Sequence, residues 1–533
     1  MPISVPASLL GHAHMLFHSL QFLFLFLPVS VGVFLLLRRY ISLRWAQGWF
    51  VAASLFFYGF WNPAFLWLLG GSIVINYAFG FLLQQGRSGK ALLVFGISIN
   101  LLTLGFFKYA VFFLSTFNAV AGSSLSIGTI LLPLGISFFT FEQIAWLVES
   151  YRGEIVDRDF LRYCVYVTNF PKLIAGPIIR PHELLPQMKE GEPSRLHVED
   201  LSVGLTILLL GLFKKVVLAD SMVPLVQPVF HAAALGVPVT FIEAWGALLA
   251  YTLQIYFDFS GYTDMAIGCA RLFGFSLPLN FNSPYKATSI IDFWRRWHMS
   301  LTRFLRDYVY IPLGGSRKGT LRRACNLLAT MLLSGLWHGA GWTFILWGGL
   351  HGMALLINHA WRSARPERVA HMWSAGFRWL ATFAVVMLGW VFFRAESVSS
   401  AFRLLGSLAG MQGISLPGML ESRAMVFTAW LPLRGVTFDL EKTLVVASGQ
   451  WAMGAPWILG LLCIALFLPN TQEFLRYFRP AYDARGQESP RGVRHLLSWQ
   501  PTTSWALCMS LCAIISVIFI MLARQTEFLY FQF

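Results

Sequence analysis

The chain has 533 residues, 56% of them hydrophobic, 16% aromatic and only 12% charged, with a mean hydropathy of +0.62. A soluble domain carries about 25% charged residues, so no soluble fold of this size could shield so much apolar surface. Continuous apolar runs exclude a transmembrane β-barrel, and the composition excludes disorder and a disulfide-rich secreted module. The net charge of +15 reads as the positive-inside bias of a helical membrane protein, with no nucleic-acid partner implied.

Taken in chain order, apolar runs able to cross or nearly cross about 30 Å of hydrocarbon fall near 15–37, 47–61, 64–83, 91–113, 127–147 and 203–222. Further runs fall near 240–257, 326–338, 342–361, 377–393, 455–469 and 503–523, with short or re-entrant pieces expected in 164–185 and 259–281. The reading is an all-α polytopic membrane protein of 11–13 transmembrane or re-entrant helices, a single membrane domain over 1–533. No Lys or Arg precedes Arg38, so the first run is expected to remain as a helix and not to be cleaved as a signal peptide. The six cysteines form no CxxC pair and read as small core hydrophobes.

Loop charges set an orientation. Arg38, Arg39 and Arg44 follow the first run, Trp61-Asn62-Pro63 carries no charge, Arg87 and Lys90 follow the third, and 115–126 is neutral. This alternation predicts a periplasmic N-terminus and cytoplasmic basic loops, among them Arg362, Arg365 and Arg368 and the 472–500 loop with Arg476, Arg479, Arg485, Arg491 and Arg494. The 394–454 stretch then falls outside.

Between Tyr256 and Gly352 polar residues crowd into the apolar runs. Asp258 and Asp264 lie within one of them, and an ionisable residue at that depth marks either a functional site or a neutralised pair. Phe293–Asp307, read as a helix, alternates Arg295, Arg296, Arg303 and Arg306 with Trp294, Trp297, Leu301, Phe304 and Leu305. Such a helix would lie in the cytoplasmic interface as a lipid anchor. Alternatively, the same arginines with Arg317, Lys318, Arg322 and Arg323 would form a phosphate-binding rim. A Walker loop is missing, as are a GxSxG elbow and an HExxH zinc motif.

Depth places the histidines. His338 lies 14 residues, about 21 Å, beyond Ala324, and His351 lies 11 residues, about 16 Å, before Arg362. Both would sit inside the bilayer, among Gly335, Gly339, Gly341, Gly348, Gly349 and Gly352, which permit close helix contact or a local break. A neutral imidazole in a water-accessible cavity is a suitable general base near pH 7, while a buried histidine is also a common structural residue.

These residues resemble the membrane-bound O-acyltransferase family, in the bacterial branch that serves alginate O-acetylation and teichoic-acid D-alanylation. The resemblance runs through "LPLGISFFTFEQIAWLVESYRGE", "NFPKLIAGPIIRP", "GLFKKVVLADS" and "QIYFDFSGYTDMAIG". It continues through "FWRRWHMSLTRFLRDYVYIPLGGSRKG", "SGLWHGAGWTFILWGGLHG" and "GWVFFRAES" to a terminal "FLYFQF", with core motifs over about 130–395 and C-terminal helices over about 455–523. It implies helices around a central tunnel, an essential histidine at His338 and a second at His298 on the cytoplasmic side. The implied activity is O-acyl transfer in the bacterial inner membrane, from a cytoplasmic thioester, acetyl-coenzyme A, toward an exopolysaccharide such as alginate. No bound cofactor or metal is expected; membrane lipid and a periplasmic relay protein of a polysaccharide-biosynthesis complex are the implied partners. Trp337, Trp342 and Ser334 are candidate oxyanion donors and Asp258 a candidate support for His338. A polysaccharide flippase and a non-catalytic scaffold subunit are the alternatives, and the polymer itself is not legible.

Overall fold

The computed structural model describes residues 15–86, 89–189, 198–364, 375–415, 436–437, 451–483, 498–522 and 529. Expectations for Arg87, Arg365, Arg368, Arg485, Arg491, Arg494 and most of 394–454 fall outside that set. Among the described residues the chain is all-α apart from a two-residue parallel pairing of Ile414–Ser415 with Val436–Thr437.

The first half is α1 (Phe22–Tyr40), α2 (Leu43–Trp61), α3 (Phe65–Gln84), α4 (Lys90–Ala121), α5 (Ile136–Arg152), α6 (Phe160–Thr168) and α7 (Val198–Leu235). There follow α8 (Phe241–Leu272), two short helices α9 (Ile290–Trp294) and α10 (Met299–Leu305), then α11 (Gly319–His338), α12 (Trp342–Ala364), α13 (Ala375–Arg394) and α14 (Val398–Leu408). The last two are α15 (Trp451–Phe467) and α16 (Thr503–Leu522). By length and apolar content α1, α3, α4, α7, α13 and α16 can each cross a membrane, which makes this a multi-pass membrane protein.

Several boundaries depart from the hydropathy reading. The run at 127–147 is helical only from Ile136, because Pro133 and Gly135, the latter at φ 68°, end the preceding loop at the helix start. The run read as ending at 257 continues as one 32-residue helix to Leu272, so Asp258 and Asp264 sit inside α8 and the 259–281 piece is mostly this helix. Glu243 accepts the Thr240 N–H at 3.0 Å and so starts α8 with a capping box. The segment at 164–185 is made of short helices.

Glycine sets two close helix contacts. A Cβ on Gly211 or Gly268 would lie 2.6 Å from a backbone oxygen across the α7–α8 seam, and one on Gly335 or Gly348 would lie 2.2 Å from a carbonyl oxygen across α11–α12. Charges buried beside these seams are paired. Lys215 holds Asp258 at 2.6 Å and Asp220 at 2.7 Å, and Lys214 holds Asp264 at 2.6 Å. Lys172 pairs with Glu142 and lies 4.8 Å from the centre of the Tyr166 ring. Of the cysteines, Cys164 and Cys269 are buried; Cys325, Cys463 and Cys508 are exposed on outer helix faces and Cys512 is partly so, which corrects the reading of all six as core.

Candidate active site

His338 is the last residue of α11, where Gly339-Ala340-Gly341 breaks the chain before α12. Its buried ring lies 4.8 Å from Trp337, 5.0 Å from Trp347, 5.2 Å from Phe393 and 6.3 Å from His298, centroid to centroid. His351 stands one turn beyond Trp347 on α12, 4.9 Å from it and 5.4 Å from Trp294. Gly389 makes room for that ring, since a Cβ there would lie 2.7 Å from His351 Nε2. The structure therefore brings His298, His338 and His351 into one aromatic cluster, with Trp347 between the last two.

The continuous amphipathic helix expected over Phe293–Asp307 is broken. Its chain turns at His298, which has φ 43° and precedes α10. A non-glycine residue in this region carries about 1–2 kcal/mol of strain, so its surroundings must hold it there. They do so through Asn280. Its side-chain oxygen receives the Ser300 N–H at 3.3 Å and the Ser300 hydroxyl at 2.8 Å, and its backbone oxygen receives the Met299 N–H at 2.9 Å. Because Asn280 Oδ1 is an acceptor, the 2.9 Å contact to His298 Nδ1 assigns the hydrogen to Nδ1 and leaves the Nε2 lone pair available. That Nε2 is buried with no hydrogen-bond partner among the described residues.

His298 is also deeper than its place beside the arginines implied. Its ring is 4.8 Å from Phe259, which lies 13 residues, about 20 Å, from the Leu272 end of α8. The 273–310 stretch thus dips back into the protein, with Trp294, Trp297, Leu301 and Phe304 buried in its core and not in a headgroup layer. Irregular backbone at such depth is tolerated only where protein covers it.

The expected basic rim divides. Arg296 pairs with Asp292 at 2.9 Å, Arg303 with Glu183 and Asp483 at 3.0 Å each, and Arg306 with Asp307 at 2.6 Å. Burial alone would raise the Asp307 carboxyl, but Arg306 and Arg180 outweigh it and hold its pKa below the ordinary carboxylate value. Arg295, Arg317 and Lys318 are exposed and make no ion pair among the described residues. Arg295, Arg323 and Arg362 all act electrostatically on His359, so three separate elements gather positive charge at the end of α12 remote from Trp342.

The remaining candidates separate as well. Trp337 and Ser334 are buried, and the Trp337 indole N–H and Ser334 Oγ have no hydrogen-bond partner among the described residues. Trp342 is 51% exposed and packs on Phe112, so it does not join the cluster. Asp258 is held by Lys215 and by the Leu529 N–H at 3.3 Å, so its contacts neutralise charge between helices. Trp347, whose buried indole N–H is likewise unpartnered, and Asn280 were not legible in advance. Asn280 reads as an ordinary loop residue until the fold sets it beside His298. One group among the described residues has ligand atoms close enough for a metal, Glu149, Glu154 and His182, and it contains none of the clustered histidines.

The broken helix pair and its buried histidine cluster lie inside a segment whose sequence matches a known family of enzymes. Residues 92–400 match the membrane-bound O-acyltransferase family, and the chain belongs to it; it is an acyltransferase. It is 38% identical to the peptidoglycan O-acetyltransferase of Helicobacter pylori, over 97% of this chain and 98% of that protein. It is 38% identical to a probable alginate O-acetylase of Pseudomonas putida, over 97% of this chain and all of that one. A teichoic acid D-alanyltransferase of Streptococcus thermophilus is 28% identical over 49% of this chain and 68% of its own length.

Proposed function

We propose that this acyltransferase O-acetylates a cell-envelope or extracellular polysaccharide from the bacterial inner membrane, with acetyl-coenzyme A as donor on the cytoplasmic side. The observation that carries the reading is the junction of His338 and His298 at 6.3 Å inside a closed aromatic cluster. The names of the full-length relatives, one for peptidoglycan and one for alginate, support acetyl as the group and a polymer as the destination.

In the proposed reaction the acceptor hydroxyl oxygen attacks the thioester carbonyl carbon. His338 takes the hydroxyl proton as the new C–O bond forms. The C–S bond then breaks, and that proton passes to the departing sulfur, releasing coenzyme A as the thiol. The indole N–H groups of Trp337 and Trp347 are the donors available to the carbonyl oxygen as it gains charge. His298, fixed with its hydrogen on Nδ1, offers Nε2 as a second acceptor beside the reacting groups.

The donor's phosphates would stay with Arg295, Arg323 and Arg362, joined by Arg317 and Lys318. His359, beside that cluster, is 12 residues, about 18 Å, along α12 from Trp347, which touches His338. A thin thioester arm can bridge that separation while the nucleotide stays outside. The acceptor, either the sugar or a serine of a periplasmic relay protein, would approach from the face where α11 ends, near exposed Trp342. On this reading the N-terminus is periplasmic, and Arg38 and Arg39 close α1 at the cytoplasmic surface.

The test is His338→Ala, compared with the unaltered protein at equal membrane abundance. Polymer acetylation should vanish while the protein remains monodisperse in detergent; retained acetylation would refute the assignment. Sealed, oriented vesicles test the crossing. Acetyl-coenzyme A on the cytoplasmic side and de-O-acetylated polymer on the other should suffice, and turnover only when both share a side would leave a one-sided acetyltransferase.

A further inference from the structure

The end of α11 is held from outside by one short piece of α4. A helix leaves its last four carbonyls without intrahelical donors, and here those belong to Gly335, Leu336, Trp337 and His338. The Gly339 N–H returns to Gly335 O at 3.4 Å. The Tyr109 hydroxyl donates to Leu336 O at 3.0 Å. The Lys108 ammonium donates to Trp337 O and reaches His338 O at 3.4 Å. Two consecutive side chains therefore serve the three outermost carbonyls, ending on His338 itself.

They can do so because α4 widens locally. Gly105–Tyr109 is a π turn within the helix, and such turns insert one extra residue and re-aim the side chains around it. A lysine facing the end of an apolar helix is costly without partners. Among the described residues no carboxylate pairs with Lys108, and its remaining contacts are Ser137 Oγ at 3.4 Å and the Trp337 and Tyr109 rings, each 5.9 Å from the ammonium. Its charge is matched by the partial negative charge at the end of α11. Since α11 stops at His338 and the following glycines impose no direction, this contact fixes where the imidazole begins.

We propose that Lys108 and Tyr109 are positioning residues for His338, clamping the end of its helix so that its imidazole meets the reacting hydroxyl. The inference rests on His338 as the base, and its test separates the two ideas. Purified full-length variants are reconstituted in vesicles and assayed with acetyl-coenzyme A and de-O-acetylated host polysaccharide. Lys108→Met should lower kcat on the order of 10²-fold, the scale of a misplacement near 1 Å, and leave the donor KM within about twofold. Lys108→Arg, which keeps a cationic donor, should recover much of that loss. Tyr109→Phe, which removes only the Leu336 bond, should lower kcat by a smaller factor at unchanged KM.

A silent His338→Ala together with a fully active Lys108→Met overturns the clamp and leaves the catalytic reading standing. An active His338→Ala overturns the catalytic reading instead. A raised donor KM with unchanged kcat in Lys108→Met also overturns the clamp, by placing Lys108 on the donor path. Where Lys108→Met fails to fold, Tyr109→Phe decides, and wild-type kcat in that variant overturns the proposal.

Discussion

Asn280→Ala isolates the contact that holds the second histidine. Asn280 is wholly buried, and its Oδ1 serves the His298 ring and both the N–H and the hydroxyl of Ser300. After truncation the Ser300 hydroxyl can turn, but His298 Nδ1–H and Ser300 N–H remain as buried donors. Each unmade hydrogen bond of this kind costs about 1–3 kcal/mol, so the fold should lose roughly 2–6 kcal/mol. Function should fall as well. With Asn280 gone, nothing fixes the Nδ1 tautomer, and the φ 43° conformation at His298 can relax. Turnover should fall on the order of 10²-fold. Ser300→Ala is the comparison: it strands the Ile178 N–H that now donates to Ser300 Oγ at 3.0 Å, yet leaves the Asn280–His298 bond in place. It should lower the melting temperature measurably and keep most of the turnover. Melting by intrinsic tryptophan fluorescence and acetyl transfer in vesicles are the two readouts. Near-normal turnover in Asn280→Ala, or equal turnover losses in both variants, would refute this reasoning.

Three further outcomes follow from the packing and the charges. Gly348→Ala puts a methyl 2.2 Å from Met331 O, so α11 and α12 must separate; the variant should melt lower by the equivalent of about 1–3 kcal/mol or more, whereas Gly70→Ala, with open space around it, should not. Lys172→Met strands Glu142 and should cost about 3–5 kcal/mol, with much of the loss recovered in the Lys172→Met/Glu142→Gln double variant, as measured by thermal unfolding. His182 Nδ1 lies 3.0 Å from Glu149 Oε1, and this carboxylate contact raises its pKa above 6.5, with partial burial opposing. Because the folded form favours the proton, this stabilisation is full below pH 6.5 and is lost as pH rises through the raised value; His182→Gln should flatten that part of a melting-temperature profile.

What the sequence disclosed divides by the range of the interaction. Hydropathy located the helices because each must hide its own backbone in an apolar segment. It misplaced the end of α8, since Asp258 and Asp264 look like a break until Lys215 and Lys214, on α7, are found opposite them. The same limit applied at Phe293–Asp307. Its alternation of arginine and tryptophan satisfies an interfacial helix, and the turn at His298 depends on Asn280, 18 residues away, which no local pattern announces. Residue counting from Ala324 puts His338 at the far end of α11, where the structure has it, because that helix is unbroken from Gly319 to His338. Its neighbourhood was only half legible. Trp337 adjoins it in sequence, whereas Trp347 and Phe393 reach it from other helices and Trp342, four residues on, faces outward.

The polar groups buried in this protein include matched pairs and groups with no hydrogen-bond partner among the described residues. Lys172 with Glu142, Lys215 with Asp258, and Lys214 with Asp264 are matched acid to base across helix seams. Each neutralises a charge that would otherwise forbid the helix from packing there. Around the broken ends of α9 to α12 the fold does the opposite. His298 Nε2, both nitrogens of His351, the indole N–H groups of Trp337 and Trp347 and Ser334 Oγ are buried with no hydrogen-bond partner among the described residues. Unmade bonds of this kind cost about 1–3 kcal/mol each, and a helical bundle under selection for stability alone would replace such groups with leucine or phenylalanine. They are neutral, so they do not shift the membrane charge balance, and they include acceptors and donors in one place. That combination suits a reaction in which a proton leaves a hydroxyl while a carbonyl oxygen gains charge. Replacing Trp347 with Phe puts the argument to a direct test: one unpaired donor disappears from a wholly buried site, and the folded variant should be a poorer catalyst. A Trp347→Phe protein that acetylates normally would mean that the indole N–H has no part in the reaction.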